Sequence, residues 1–230
     1  NTLVGSAHYD GGDGVWHLAN DDGPIITARF CVMATGCLSV PNWPKIDGLS
    51  DFKGPTYHTA MWPHEAVDFT GLRVAMIGTG SSAIQSTPHI ADQAEQLYVF
   101  QRTPNYSIPA HNASMDPAHA ESVKANYPGI RASAKKNFPG IHGAFNTQSA
   151  MSVSAEEREA EYERRWAQGG LTFMGAFGDL MIEQAANDTL ADFVRAKIRE
   201  TVDDPDVAEA LCPTNIIGGK RLCVDSGYYE

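Results

Sequence analysis

The chain has 230 residues, 17 Lys and Arg against 28 Asp and Glu, a formal charge of −11, and a composition that is 43% apolar and 9% aromatic. That composition excludes a disordered, collagen-like or disulfide-stapled protein, and the acidic balance excludes a general nucleic-acid binder, which needs a basic face for phosphates. No apolar stretch approaches the roughly 20 residues of a membrane span, and Cys31, Cys37, Cys212 and Cys223 lack paired or metal-type spacing, so free thiols in a reducing cytoplasm are expected.

Residues 1 to 36 predict a three-stranded β-meander. Strand-like runs to Tyr9, over Val15–Ala19 and over Ile25–Ala34 are separated by Asp10-Gly11-Gly12-Asp13-Gly14 and Asn20-Asp21-Asp22-Gly23-Pro24, and the last strand is expected to be buried. Residues 37 to 72, broken by Pro41, Pro44, Pro55 and Pro63, predict a long connector with little regular structure. From Arg73 the pattern becomes β-turn-α-β: Val74-Ala75-Met76-Ile77, a glycine turn, a helix through Ile84 and Ile90, and a strand at Gln96–Phe100. Such a unit builds a parallel sheet.

Beyond Ala110 the character is helical. Ser154-x-x-Glu157 is a capping box for a helix reaching about Gln168, and Leu190, Phe193, Val194, Lys197 and Ile198 lie on one stripe of a helix over about 188 to 202. Asp204-Pro205 opens a further short helix, and Gly218–Val224 reads as a turn into a strand. The chain opens at Asn1-Thr2 without Met and enters strand-like sequence at once, which suggests an excised piece of something longer.

The glycine turn carries the first chemistry. Gly78-x-Gly80-x-x-Ala83 stands between an apolar strand and a helix, the context of a dinucleotide site. Gly78 suits the tight turn, Gly80 lets a pyrophosphate approach the backbone, and small Ala83 lets helix and strand pack closely. The helix N-terminus and the hydroxyls of Thr79, Ser81 and Ser82 favour phosphate. Where an NAD site places an acid for the ribose hydroxyl, this chain has Gln101-Arg102-Thr103. Arg102 can hold a 2'-phosphate through its planar fork, so NADP is expected over NAD.

The connector string Phe52–Glu65 holds His58 and Trp62 four residues apart, consistent with a packed loop or with a mobile element over a cofactor. No metal site is expected: His58, His64 and Glu65 have no second ligand cluster.

Phe52-x-Gly54-x-x-x-His58-x-x-x-Trp62-Pro63 resembles the fingerprint F-x-G-x-x-x-H-x-x-x-W-P of the Baeyer-Villiger monooxygenases, flavoenzymes that insert oxygen beside a ketone. Further islands look like the same family, near its phenylacetone monooxygenase-like branch, in the same order. They are Ala34-Thr35-Gly36 ahead of Leu38-Ser39-x-Pro41, Asp68-Phe69-x-Gly71, the turn from Gly78 to Gln85, Phe100-Gln101-Arg102-Thr103-Pro104, and Lys220-Arg221 before Tyr228-Tyr229-Glu230.

The resemblance implies an α/β architecture: a Rossmann-like NADP-binding domain with a helical insertion, plus a β-meander piece of an FAD-binding domain. On that pattern 1–36 is the end of the first FAD-domain segment and 37–72 the linker. Residues 73–112 form the Rossmann unit, 113–214 the helical insertion and 215–230 the return to the NADP domain. Thr79, Gly80, Ser81, Ser82, Ala83, Ile84 and Gln85 are implied in the pyrophosphate loop, and Arg102, Thr103 and Lys220 in the 2'-phosphate clamp. Arg221 is implied as the catalytic cation, stabilising negative charge that develops at the flavin and the ketone. His58 and Trp62 are implied to couple domain and linker motions.

The implied activity converts a ketone to an ester or lactone with NADPH and O2; the composition read above adds the expectation of a cytoplasmic protein that binds neither nucleic acid nor membrane. The chain departs from a complete enzyme in having no second glycine fingerprint for FAD. It is therefore expected to be the central portion, inactive alone and dependent on missing flanking FAD-domain segments. The alternatives are an N- or S-oxygenating flavin-containing monooxygenase, against which Trp62-Pro63 speaks, and a non-enzymatic NADP-binding module. Phe145, Trp166 and Phe173 are candidates for either a substrate pocket or the core.

Overall fold

A computed structural model describes residues 2–230; Asn1, where the expected piece begins, lies outside them. The chain divides into two compact units, residues 1–62 and 63–230.

In the first unit the turn residues act as their chemistry suggests. The Asp10 carboxylate accepts from the Gly12 amide at 2.7 Å, Gly14 N–H donates to the Asp10 carbonyl at 2.9 Å, and Gly14 takes φ 68°, a left-handed value that favours glycine. This turn joins β1 (Ser6–Asp10) to β2 (Val15–Asn20), with Tyr9 opposite Trp16 and their rings 5.4 Å apart. A second turn, with the Asp22 amide on the Asn20 side chain, leads into β3 (Gly23–Ala28), completing an antiparallel β1-β2-β3 sheet.

The third strand is shorter than its sequence suggests. β3 ends at Ala28; residues 29–36 pair with no strand among the described residues, and instead of being buried Phe30 and Val32 are 81% and 86% exposed. A strand is held by its ladder partner, and apolar content alone does not supply one. No residue from 2 to 62 is fully buried.

In the second unit β4 (Arg73–Ile77), α1 (Ser81–Ala91) and β5 (Gln96–Phe100) form the expected crossover, with β4 and β5 parallel from Arg73 opposite Gln96 to Ile77 opposite Phe100. A second parallel pair joins segments distant in sequence: β6 (Ser107–Pro109) against β7 (Cys223–Asp225). The glycine-turn strand near Val224 is foreseeable from sequence; β6, three residues long and containing a proline, is not.

The helices between β6 and β7 follow their caps. Asp116 caps α2 (Pro117–Ala125), which is followed by α3 (Tyr127–Ala134). The Ser154 and Glu157 capping box is complete at the start of α4 (Ala155–Gln168). α5 (Gln184–Thr201) buries Leu190, Phe193, Val194 and Ile198 as the stripe predicts, and Asp204 caps α6 (Pro205–Leu211) through the Asp206 and Val207 amides. Lys197, also on the predicted stripe, pairs its ammonium with Glu163 at 2.6 Å, and the same nitrogen lies 5.4 Å from the centre of the Phe193 ring.

The main core of this unit includes Tyr162, Phe173, Phe177, Leu180, Leu190, Val194 and Ile217. Trp166 meets Phe173 edge-on at 5.8 Å. Phe173 is thus core and Trp166 packs against it, whereas Phe145 lines a surface groove of about 440 Å³ with Glu161 and Arg165. Burial of each such large side chain contributes about 1.5 to 3 kcal/mol.

Candidate cofactor site

The site begins where β4 ends. Gly78 takes φ 102°, a conformation L side chains rarely adopt, and its amide donates to the Phe100 carbonyl at 2.8 Å. That bond holds the ends of β4 and β5 side by side. Gly80 is the N-cap of α1 and offers no side chain, and a Cβ built on either glycine meets nothing within 4 Å. Open space therefore lies over both positions.

The amides of Thr79, Gly80, Ser81, Ser82 and Ala83 donate to no acceptor among the described residues. Unpaired first-turn N–H groups at the positive end of a helix dipole form an anion-binding surface. The side chains of Ala83 and Ile84 are buried and contribute by packing α1 on its sheet, while Ser82 is exposed beside the turn.

The strand-end residues meet this turn. The Thr79 hydroxyl donates to the Thr103 carbonyl at 3.3 Å, and the Gln101 amide donates to the Ala210 carbonyl at 2.7 Å, fixing the segment on both sides of Arg102. Arg102 itself is exposed and has no carboxylate partner among the described residues.

β7 closes the third side. The Ser81 hydroxyl lies 3.4 Å from the Cys223 sulfur, the Gln85 amide donates to the Val224 carbonyl at 3.3 Å, and the Asn105 amide donates to the same sulfur at 3.1 Å. Ser81 and Gln85, expected on the phosphate loop, thus also tie α1 to β7. Lys220 and Arg221 enter β7 from a turn through Gly218, at φ 86°, and both are exposed without a carboxylate partner among the described residues. The sequence-expected cations Arg102, Lys220 and Arg221 are therefore joined by short backbone paths to one helix N-terminus.

The nearest acid on β7 is engaged elsewhere. Asp225 is buried, accepts from the Ser107 hydroxyl, and takes the Gly227 and Tyr228 amides at 3.1 Å each. Tyr229 donates to the Asn105 carbonyl at 3.3 Å. Burial pushes the Tyr228 hydroxyl up to about 12 and raises that of Tyr229 as well, so both are neutral at physiological pH.

Two supports escape the sequence reading. The buried Asn187 amide donates to the Leu180 and Ile217 carbonyls at 2.8 Å each and accepts from the Ile217 amide at 3.1 Å. Arg195 donates to the Tyr106 hydroxyl at 2.8 Å and to the Pro213 carbonyl at 3.0 Å, and Tyr106 donates to the Asn215 carbonyl at 2.8 Å. The available signal was a lone Asn on the apolar stripe of α5, in register with Leu190 and Val194.

The fingerprint residues have local roles in the first unit. A Cβ on Gly54 would lie 2.6 Å from the Phe52 ring, so glycine is what lets that ring lie over the backbone. His58 caps the short 3-10 turn at Thr59–Met61, its Nδ1 accepting from the Ala60 amide at 3.1 Å, and its ring lies 5.0 Å from that of Trp43. Trp62 packs on Tyr57 at 5.5 Å, and the boundary between the two units falls between Trp62 and Pro63. Gly11-Gly12-Asp13-Gly14 forms only the β1-β2 hairpin turn. Among the described residues no group of three His, Cys, Asp or Glu side chains could hold a metal ion, and no helix is long and apolar enough to cross a membrane.

Comparison with known proteins shows where this geometry recurs. The whole chain is 41% identical to cyclohexanone 1,2-monooxygenase of Acinetobacter sp and 40% identical to a Baeyer-Villiger monooxygenase of Pseudooceanicola batsensis, covering 42% of each. The chain is homologous to the Baeyer-Villiger monooxygenases along its whole length. No protein-family model matches it. Baeyer-Villiger crystal structures share its fold: an oxidised steroid monooxygenase bound to NADP superposes with a TM-score of 0.92 at 51% identity over 99% of this chain and 44% of that one. OTEMO in complex with FAD and NADP gives 0.95 at 38% identity over 100% of this chain and 44% of that one. The Baeyer-Villiger-like chain thus spans well under half the length of these relatives. A phenazine N-monooxygenase of Lysobacter antibioticus is also 38% identical over the whole chain.

Proposed function

We propose that this chain is the NADPH-binding central portion of an FAD-dependent Baeyer-Villiger monooxygenase, which converts a ketone to an ester or lactone with NADPH and O2. The observation that carries the proposal is the glycine turn with unpaired amides from Thr79 to Ala83, bonded to the segment that bears Arg102 and to β7, which Lys220-Arg221 precede. The relatives' NADP-bound structures support it.

In this reading the amides of the turn hold the pyrophosphate. Arg102 and Lys220 place two cations around the dianionic 2'-phosphate, with the Thr103 hydroxyl as a further donor. Arg221 sets a fixed positive charge where negative charge develops during oxygen transfer, usually the largest single catalytic contribution. His58, Trp62 and Pro63 stand at the junction of the two units and couple them. FAD, when bound in the complete protein, supplies the oxygen chemistry. The only other glycine cluster of the right density, at Gly11–Gly14, is a hairpin, so FAD relies on segments flanking this chain.

The test is to incubate the complete protein with NADPH, 18O2 and a panel of ketones and to weigh the products. Ester carrying one labelled oxygen is expected. Labelled N-oxide from aromatic heterocycles, with no ester, would favour the second reading, N-oxygenation, which the phenazine N-monooxygenase relative keeps open. The isolated 230-residue chain is expected to hold no flavin; stoichiometric yellow FAD on it would overturn its placement.

A further inference from the structure

The approach to the two cations is fastened at both ends, and one side chain provides most of the upstream fastening. Downstream, Leu222 and Cys223 are buried, and the Cys223 amide donates to the Tyr106 carbonyl at 3.0 Å. Upstream, Ile217 is buried and both of its backbone groups are taken by Asn187, whose Nδ2 donates to the carbonyl at 2.8 Å and whose Oδ1 accepts from the amide at 3.1 Å. The second Nδ2 proton goes to the Leu180 carbonyl at 2.8 Å, so the amide's orientation is fixed.

Between these anchors lie Gly218 and Gly219, held among themselves by one long backbone bond, from the Gly219 amide to the Ile216 carbonyl at 3.3 Å, so the path rests mainly on the anchors. Gly218 takes φ 86°, and a Cβ there would meet the Met181 sulfur at 2.6 Å; one on Gly219 would meet the Ile216 side chain at 2.8 Å. Glycines have little conformational preference of their own, so the direction in which Lys220 leaves the turn is inherited from Ile217.

We propose that Asn187 is a positioning residue for the 2'-phosphate site: by clamping Ile217 it fixes the turn that presents Lys220. This rests on the assignment of Lys220 to the 2'-phosphate. Asn187 is buried on α5, where an apolar residue would pack more cheaply among Ala186, Leu190 and Ala191. A buried amide whose hydrogen bonds all go to the backbone of Leu180 and Ile217 fixes the geometry of those segments.

Lys220 should feel its loss more than Arg221, which adjoins the downstream anchor. The expected signature is therefore a change in the preference for NADPH over NADH, which differ only at that phosphate.

The experiment measures kcat/KM for NADPH and NADH, and the melting temperature, in the complete protein with Asn187→Asp, Asn187→Ser, Lys220→Ala and Leu190→Ala. Asn187→Asp keeps the acceptor but loses both donors. Asn187→Ser, too short to bridge both Ile217 groups, serves where the buried carboxylate prevents folding. Leu190→Ala, on the same helix with no bond to the turn, controls for general destabilisation.

Lys220→Ala and the Asn187 variants are expected to lower the NADPH/NADH ratio, the latter about 5- to 30-fold, through KM for NADPH with NADH little changed. Leu190→Ala is expected to lower the melting temperature and leave the ratio intact. If Lys220→Ala changes the ratio and Asn187→Ser does not, or if Leu190→Ala changes it as much, the inference fails while the site assignment stands. If Lys220→Ala leaves the ratio unchanged, the assignment fails and the inference with it.

Discussion

Gly78 and Gly80 sit two positions apart and need to be glycine for different reasons. Gly78 is held at φ 102°, so Gly78→Ala should cost about 1 to 3 kcal/mol of stability. Gly80 has ordinary extended angles, φ −83° and ψ 176°, and empty space around its Cβ direction. Gly80→Val should cost no more than about 1 kcal/mol, the difference between glycine and a poor N-cap residue, and weaken NADPH and NADH alike, because it fills the space above the turn where the pyrophosphate common to both would lie. Calorimetry and equilibrium binding on the same two variants separate these effects; a large loss of stability in Gly80→Val would contradict its assignment. Both glycines were legible in sequence because a strand-turn-helix context gives each a physical task. Asn187 was not, because its partners are backbone groups of Leu180 and Ile217, and no side-chain pattern marks a carbonyl that needs a donor.

Among the elements, those with local codes were legible and those made by distant pairing were not. α4 starts where Ser154 and Glu157 satisfy each other's amides, at 3.2 Å and 3.1 Å. Ser154→Ala should therefore cost about 1 kcal/mol and lower the melting temperature by about 2 to 4 °C; an unchanged thermal transition would show that tertiary packing alone sets the helix start. The crossover β4-α1-β5 was equally plain, since apolar runs, glycines and helical spacing all agree. β6 escaped notice because Ser107, Ile108 and Pro109 become a strand only when Cys223–Asp225 lies beside them. Residues 29–36 err in the opposite direction: apolar enough to suggest a buried strand, they find no ladder partner among the described residues.

At the level of the whole molecule the two units differ in how much interior they own. The second has an extended core, whereas no residue from 2 to 62 is fully buried. Segments with few buried contacts open at low free energy. Limited proteolysis of the isolated chain should accordingly cut first within about 29–62 and leave a resistant piece beginning near Pro63, readable by mass spectrometry; first cuts inside α4 or α5 would contradict this.

The second unit also carries an acid-sensitive contact. Hydrogen bonds from Arg164 hold the Glu161 carboxyl below its usual value against the opposing effect of partial burial, with Arg165 adding to the same direction. A folded-state value below the unfolded one stabilises the protein above the ordinary glutamate range, and that contribution disappears as pH falls through the folded value. Stability measured from about pH 5 down to about pH 3 should therefore fall less steeply in Glu161→Gln than in the native chain. Equal slopes would remove Glu161 from the acid response.

The claim that joins these scales is that the glycine turn and its flanking cations hold a 2'-phosphorylated dinucleotide. Its most direct measurement is equilibrium binding of NADPH and NADH to the complete protein and to its Arg102→Ala variant. The account predicts a loss of about 1.5 to 3 kcal/mol for NADPH, the worth of hydrogen bonds to a charged group, with NADH almost unchanged. Equal losses for the two cofactors, or none for either, would contradict it.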